Sequence, residues 1–432
     1  MRRRLAVVTV GCKTNFADSA GIAAQASRAG FTVVPHGDPA DVFVVNSCTV
    51  THRADRDSRS LARRLRRENP CAVIVLTGCY AETSPEARPA LPEVDHWVGI
   101  ADPSALRDLL ASLAGTEGTP GNDLAEYGAD RLLGHSRTYL KIQDGCDAVC
   151  AYCIVPKARG PGRSIPMEEV LGRAMRAEGE GARELVLTGI HVGRYGKDRG
   201  ERDGLAVLVE GLLAATTDCR FRLGSVEPLE ITPRLEGLLA SRDRLCPHLH
   251  VPLQSGSDRV LRRMRRPYTA RGYREMLGRL ADSVPGIRLG ADVIAGFPGE
   301  SEGDFAETTE LILDSPLSYL HAFPYSPREG TESAGWAEDV SPAGKKGRVA
   351  LLRKMDSDLR IRYLQAQVGR TLTVIAESQD PGTREFRGIS ENYAEVVFRA
   401  EGGRAGELHP VRILSVQGYR LEGSGAFDAV GA

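Results

Sequence analysis

Between Lys141 and Arg163 three cysteines, Cys146, Cys150 and Cys153, stand at C-x3-C-x2-C spacing. A short apolar run, Tyr139 to Ile142, precedes them, so the loop is predicted to begin just past a strand end. Three thiolates held this close on one loop suit a soft metal centre. No fourth cysteine follows within reach on the loop. Two readings follow. One is a cluster of iron and sulfide in which one iron has no protein ligand. The other is a zinc loop that borrows a distant ligand, although zinc pairs usually repeat and this stretch does not. An open metal position is where chemistry happens, whereas a full protein ligand set suits structure.

The chain has 432 residues, room for two or three domains. Its net charge of −1 excludes a molecule that is basic throughout, so an anionic partner must be held by local patches. Nine cysteines form an odd and scattered set, which argues against a disulfide framework and for a reducing cytoplasm. No apolar run reaches membrane-spanning length. Met1 to Cys12 superficially resembles a lipoprotein signal, but its apolar run is too short and reads better as a first strand.

Residues 1–135 alternate apolar runs with helical stretches. Leu5–Val10 ends at Gly11-Cys12, Val42–Val45 at Asn46-Ser47-Cys48, and Val73–Leu76 at Thr77-Gly78-Cys79. Helices are expected at Ala17–Ala29 and Arg53–Asn69. The pattern predicts an open α/β domain with a parallel sheet. Cys12, Cys48 and Cys79 each lie just beyond the C-terminal end of a predicted strand, and such ends gather along one ligand-binding edge. A second metal site is therefore expected there; the alternative is three small packing residues. Cys71, Cys219 and Cys246 are read as packing residues. Arg53–Asn69 carries seven arginines against three acids and is read either as a phosphate-binding face or as a solvated helix. Gly115–Asp123 reads as a linker.

The C-x3-C-x2-C loop, with Tyr152 before its last cysteine, resembles the radical S-adenosylmethionine signature. The resemblance implies a [4Fe-4S] cluster on Cys146, Cys150 and Cys153 whose open iron binds the cofactor's amino and carboxylate groups. Reduction then splits S-adenosylmethionine to methionine and a 5′-deoxyadenosyl radical. With the three cysteines ahead of it, the chain resembles the MiaB-like methylthiotransferase family over nearly its whole length. That resemblance implies a second [4Fe-4S] cluster on Cys12, Cys48 and Cys79, again with one open iron.

From 136 to 365 six apolar runs recur: Tyr139–Ile142, Leu185–Leu187, Arg220–Gly224, His248–Val251, Ile287–Asp292 and Ser318–Phe323. Six βα units predict a barrel-like parallel sheet, too few for eight-fold closure. The resemblance implies the partial barrel of radical enzymes, with Tyr152, Gly189, Glu227 and Gln254 as candidate contacts to S-adenosylmethionine. Taken singly, a tight turn explains each glycine and a solvated acid explains Glu227; taken together at matched strand ends, they are read as cofactor contacts. Arg262, Arg263, Arg265 and Arg266 put four arginines in five residues and are read as phosphate contacts to RNA. Arg159 and Arg163 are read as extending that basic rim.

Residues 366–425 hold four short strand-like runs, Thr371–Glu377, Phe386–Ile389, Ala394–Arg399 and Val411–Val416, which predict a small antiparallel barrel. It resembles the RNA-binding TRAM module. Asn392-Tyr393 is read as an aromatic platform or a core tyrosine.

The fold expected is thus α/β: an N-terminal open α/β domain, a partial six-fold βα barrel and a terminal antiparallel β-barrel. Thr188 to Gly193 and the stretch from Cys150 to Gly160 resemble the MtaB branch of the family. The resemblance implies methylthio insertion at position 2 of N6-threonylcarbamoyladenosine 37 in a tRNA anticodon loop. A reductant protein such as flavodoxin or ferredoxin is implied as a partner. Branches acting on isopentenyladenosine 37 or on a ribosomal-protein aspartate share the six cysteines. A non-catalytic, metal-stabilised RNA-binding protein is the rival from another class.

Overall fold

The computed structural model describes residues 2–115, 126–241 and 243–425. The expected linker falls mostly on 116–125, outside the described residues. By packing the chain forms two units. The first comprises residues 1–182, 187–191 and 328–334; the second comprises 183–186, 192–327 and 335–432. The boundary expected near residue 135 falls inside the first unit, so both cysteine triads belong to one unit.

The first unit opens with β1 (Arg4–Thr9), α1 (Lys13–Arg28), β2 (Thr32–Val34), β3 (Val42–Ser47), α2 (His52–Glu68), β4 (Val73–Gly78), α3 (Cys79–Thr83), β5 (His96–Trp97) and α4 (Pro103–Ala114). The strands form one parallel sheet in the order β2-β1-β3-β4-β5. Every residue of β3 is buried, as expected for a central strand covered on both faces. Alternation sends Ala6, Val8, Phe43, Val45, Ile74 and Leu76 to one face, where Leu61 and Leu65 of α2 cover them. Leu5, Val7, Val42, Val44 and Val75 go to the other, against α1 and α4. Thr51 caps α2 by accepting from Ala54 N. The unit continues through α5 (Glu126–Leu132), β6 (Thr138–Lys141), β7 (Gln143–Asp144), α6 (Val155–Arg159), β8 (Arg163–Ser164) and α7 (Met167–Gly179).

The second unit begins at residue 183, takes in β9 (Glu184–Thr188) as far as Val186, and follows a βα order. Its elements are α8 (Gly204–Ala215), β10 (Arg220–Leu223), α9 (Pro233–Ser241), β11 (His248–His250), α10 (Asp258–Arg263), α11 (Ala270–Ser283), β12 (Arg288–Ala295), α12 (Glu302–Leu313), β13 (Tyr319–Pro324) and α13 (Pro342–Gln365). β11, β12 and β13 pair in parallel. Parallel bridges at Phe221–Leu245 and Ser225–His250 flank β10 and β11. A capping box between Ser301 and Asp304 starts α12.

The terminal barrel closes with five strands, not the four expected. They are β14 (Thr371–Gln379), β15 (Phe386–Ser390), β16 (Glu395–Arg399), β17 (Leu408–Gln417) and β18 (Arg420–Gly425), in the order β14-β15-β16-β18-β17. β18 escapes pattern reading because glycine and serine dilute its alternation. Its pairing with both β16 and β17 closes the ring and leaves no edge.

Candidate metal centre

The parallel register fixes where the first triad falls. Thr9 pairs with Asn46, and Ser47 with Gly78. Cys12, Cys48 and Cys79 therefore leave three adjacent strands at one edge. Cys12 is the N-cap of α1 and Cys79 the first residue of α3. Gly11 has φ +120°, and a Cβ there would lie 2.7 Å from Cys48 Cβ. Gly78 has φ +95°, and its Cβ would lie 2.5 Å from Ser47 N. Glycine is thus required beside two of the three cysteines, because backbone must pass where a side chain would stand. Asn15 ties the edge together, donating from Nδ2 to Val10 O and Ser47 O at 2.8 and 3.0 Å.

The three thiols feel one another. Burial pushes the Cys48 thiol up to about 12; the Val50 N–H opposes this, and Cys12 and Cys79 reinforce it. Burial also raises the Cys79 thiol, against the pull of Arg159. Closely spaced soft donors that repel one another as anions fit a cationic centre, which stabilises thiolates directly. The donor set suits an iron–sulfur cluster.

The second triad sits on the loop between β7 and α6. Gly145 has φ +70°, and a Cβ there would lie 2.0 Å from Pro161 O. Cys146 N donates to Gly160 O at 3.0 Å, closing the loop. Ala148 N points at Cys146 Sγ at 3.3 Å, and Cys153 N at Cys150 O at 3.1 Å. His191 Nδ1 lies 3.3 Å from Cys146 Sγ. All three cysteines are partly exposed.

Arg159 is corrected from a basic rim to a buried residue. Its side chain is 2% exposed. It donates from Nε to Cys79 Sγ at 3.2 Å and from Nη2 to Asn15 Oδ1 and Asp18 Oδ2, each at 2.8 Å. Nη1 reaches Asp144 Oδ1 at 3.1 Å. Arg328 similarly clamps the segment after Cys48, meeting Thr49 Oγ1 at 2.6 Å and Asp55 Oδ2 at 2.8 Å. Arg328, Asn15 and Asp18 are positioned by the fold alone, with no spacing to announce them.

Other expected positions fare differently. A Cβ on Gly189 would lie 2.7 Å from Gln143 O, so close packing against Gln143 excludes a side chain there. Glu227 is not a solvated acid; it pairs with Arg266. Arg266 is buried and lies over Tyr268, so it is withdrawn from the RNA-binding set. Arg262, Arg263 and Arg265 are exposed, and Arg263 donates to Pro298 O and lies over Trp336. Gln254 is buried with φ +65°, and its Oε1 has no hydrogen-bond partner among the described residues. Tyr152 is partly exposed on the cysteine loop. Tyr393 packs on His248 and beneath Arg222, which makes it a packing residue and not an open platform. Cys219 and Cys246 are buried as expected, whereas Cys71 is exposed. On α2, Arg59 and Arg66 serve protein contacts, to Tyr80 Oη and to Ala72 O, while Arg56, Arg64 and Arg67 are exposed. In the second unit Asp292 Oδ1 meets His250 Nε2 at 3.0 Å and His321 Nδ1 at 3.3 Å. Two imidazole N–H donors satisfy that carboxylate without an ion.

The sequence matches the Radical SAM superfamily model over residues 140–312 and the model of Uncharacterized protein family UPF0004 over residues 4–99. Threonylcarbamoyladenosine tRNA methylthiotransferase MtaB of Bacillus subtilis is 37% identical, covering 95% of this chain and 93% of that protein. The protein of the same name from Thermotoga maritima is 35% identical over 95% of this chain and 94% of its own length. A tRNA-2-methylthio-N(6)-dimethylallyladenosine synthase of Chloroflexus aurantiacus is 32% identical over 99% and 92%. Among solved structures, the radical S-adenosylmethionine methyltransferase TsrM from Kitasatospora setae superposes with TM-score 0.56 at 14% identity, covering 77% of each chain, a likeness of fold alone. The fold and the cysteine loop define a radical S-adenosylmethionine enzyme. The chain belongs to the MiaB-like methylthiotransferase family, in its MtaB branch.

Proposed function

We propose that this enzyme inserts a methylthio group at position 2 of N6-threonylcarbamoyladenosine 37 in tRNA. The observation that carries this reading is the pair of three-cysteine sets on one packing unit, each one ligand short of a closed cluster. A structural metal site closes its coordination; two open ones suit chemistry. Cys146, Cys150 and Cys153 would hold one [4Fe-4S] cluster, and Cys12, Cys48 and Cys79 a second. Bound there, the first would supply the electron for cleavage of S-adenosylmethionine and the second would carry the sulfur to be transferred.

The chain's own residues hold and orient. Gln254 offers a buried carbonyl oxygen in a left-handed backbone conformation, a strained arrangement that a ligand donor would satisfy. Glu227, Tyr152 and the backbone at Gly189 complete the proposed cofactor contacts, with Arg266 fixing the Glu227 carboxylate. Arg262 and Arg265 offer exposed charge for phosphate. A flavodoxin- or ferredoxin-like protein in the cytoplasm would supply electrons. Among the described residues no helix is long and apolar enough to cross a membrane. The branch choice rests on three MtaB relatives at 34–37% identity against 32% for the dimethylallyladenosine synthase, with a further MtaB relative at 31%.

The test is anaerobic reconstitution followed by nucleoside mass spectrometry. Incubation with tRNA carrying threonylcarbamoyladenosine 37 is expected to give its 2-methylthio derivative. Tight preference for isopentenyladenosine 37, or conversion of a ribosomal protein in place of tRNA, would move the enzyme to another branch.

A further inference from the structure

Arg159 occupies an unusual place. It ends α6, the helix directly after the Cys146–Cys153 loop, and the carbonyl of the next residue, Gly160, accepts the Cys146 N–H. Its guanidinium reaches Cys79, a member of the other triad. One short segment therefore touches both metal sites. Burying a guanidinium is costly unless its N–H groups are satisfied. Here Asn15, Asp18, Asp144 and Cys79 satisfy it from four sides, and Lys141 Nζ meets the same two carboxylates at 2.6 and 2.7 Å. The two carboxylates balance the two cations. The planar fork is thereby locked, and Nε–H is left aimed at sulfur.

Hydrogen bonds to cluster sulfurs stabilise the extra negative charge of the reduced state and so raise the reduction potential. We propose that Arg159 is a positioning residue that sets the reduction potential of the Cys12–Cys48–Cys79 centre through its Nε–H bond to Cys79. The inference rests on the two-cluster reading above. It extends that reading by giving the cysteine loop a second role, since the segment that carries one centre also tunes the other.

The experiment uses the full chain with Cys146→Ala, Cys150→Ala and Cys153→Ala, so that only the N-terminal triad can load. Iron and acid-labile sulfide are counted, and the cluster is titrated anaerobically with dithionite while electron paramagnetic resonance is followed. Arg159→Gln removes charge and the Nε donor; Arg159→Lys keeps charge but loses the Nε donor. Both are expected to load about four irons. At the poise that half-reduces the parent, Arg159→Gln is expected to show about a tenfold lower reduced-to-oxidised ratio, about 59 mV for one electron. Arg159→Lys is expected to shift in the same direction by less. An unchanged potential in fully loaded variants overturns the proposal. Failure of both variants to take up iron also overturns it, leaving Arg159 a structural residue. If the parent takes up no iron, the two-cluster reading falls and the inference with it, and the iron count alone tells that case apart.

Discussion

Glu184 and Arg222 are both closed to solvent, and the arginine donates from Nε and Nη2 to the two carboxylate oxygens at 2.7 and 3.1 Å. Arg220 Nε shares the same carboxylate at 2.7 Å. The outer N–H groups of the two arginines reach the carbonyls of Thr373, Ile389, Ser390 and Glu391 on the terminal barrel. One acid thus holds two buried cations, which in turn hold backbone of β14 and β15 and the residue after β15.

Glu184→Gln removes the carboxylate that the two guanidiniums share. The expected loss is about 3–5 kcal/mol, the range for breaking a buried pair from one side. Urea unfolding of the second unit's transition checks it. A loss below about 1 kcal/mol would mean that water already compensates the pair.

Gly78→Ala tests the tight edge beside Cys79. The new methyl would need backbone of Ser47 to move, at a φ that alanine resists. The expected outcome is a loss of about 2–4 kcal/mol together with loss of iron from the N-terminal triad, while the Cys146 triad keeps its share. Iron per chain is the readout: about eight in the parent and about four in the variant. A variant that keeps all its iron would show that the edge can relax.

Asp292 links stability to pH. Burial alone would raise its carboxyl, but His250 and His321 overcome that and hold it well below the usual range. A depressed acid contributes stability that is fully present above the unfolded value of about 3.9 and is lost as pH falls toward the folded value. The gap in unfolding free energy between wild type and Asp292→Asn is expected to be about 2 kcal/mol at pH 7. It should narrow steadily below about pH 4. A gap that stays constant down to about pH 3 would mean that the imidazoles give the carboxylate no preference.

Arg262 and Arg265 are exposed, Arg263 is exposed but donates to Pro298 O, and Arg266 is buried against Glu227, so the four arginines divide. Arg262→Gln with Arg265→Gln is expected to weaken tRNA binding and to reduce the log–log salt slope by about 1 per lost phosphate contact. Arg266→Gln is expected to leave that slope unchanged and to lower stability by freeing Glu227. Filter binding across a salt series separates the two. Equal slopes for all variants would remove the exposed pair from the RNA surface.

The two candidate metal sites were legible in the sequence because such chemistry demands particular residues at particular places. Three cysteines within eight residues mark a loop ligand set by spacing alone. Cys12, Cys48 and Cys79 are 67 residues apart end to end, yet each follows a β-branched run, and parallel strands must bring such ends together. The strand pattern of the βα region was legible where a buried parallel strand leaves an apolar run, as in β9, but β10 and β11 alternate buried arginines or histidines with apolar residues. Charge was not legible in the same way. Arg159, Arg266 and Arg222 look in sequence like surface cations, and one arginine in a string reads like the next. Whether a guanidinium faces water or a carboxylate depends on partners such as Asp18, Glu227 and Glu184, brought in from 38 to 141 positions away. Local pattern fixes which backbone is buried. Only the tertiary structure decides which charges go with it, because a buried cation is tolerated solely where distant acceptors converge on all its donors.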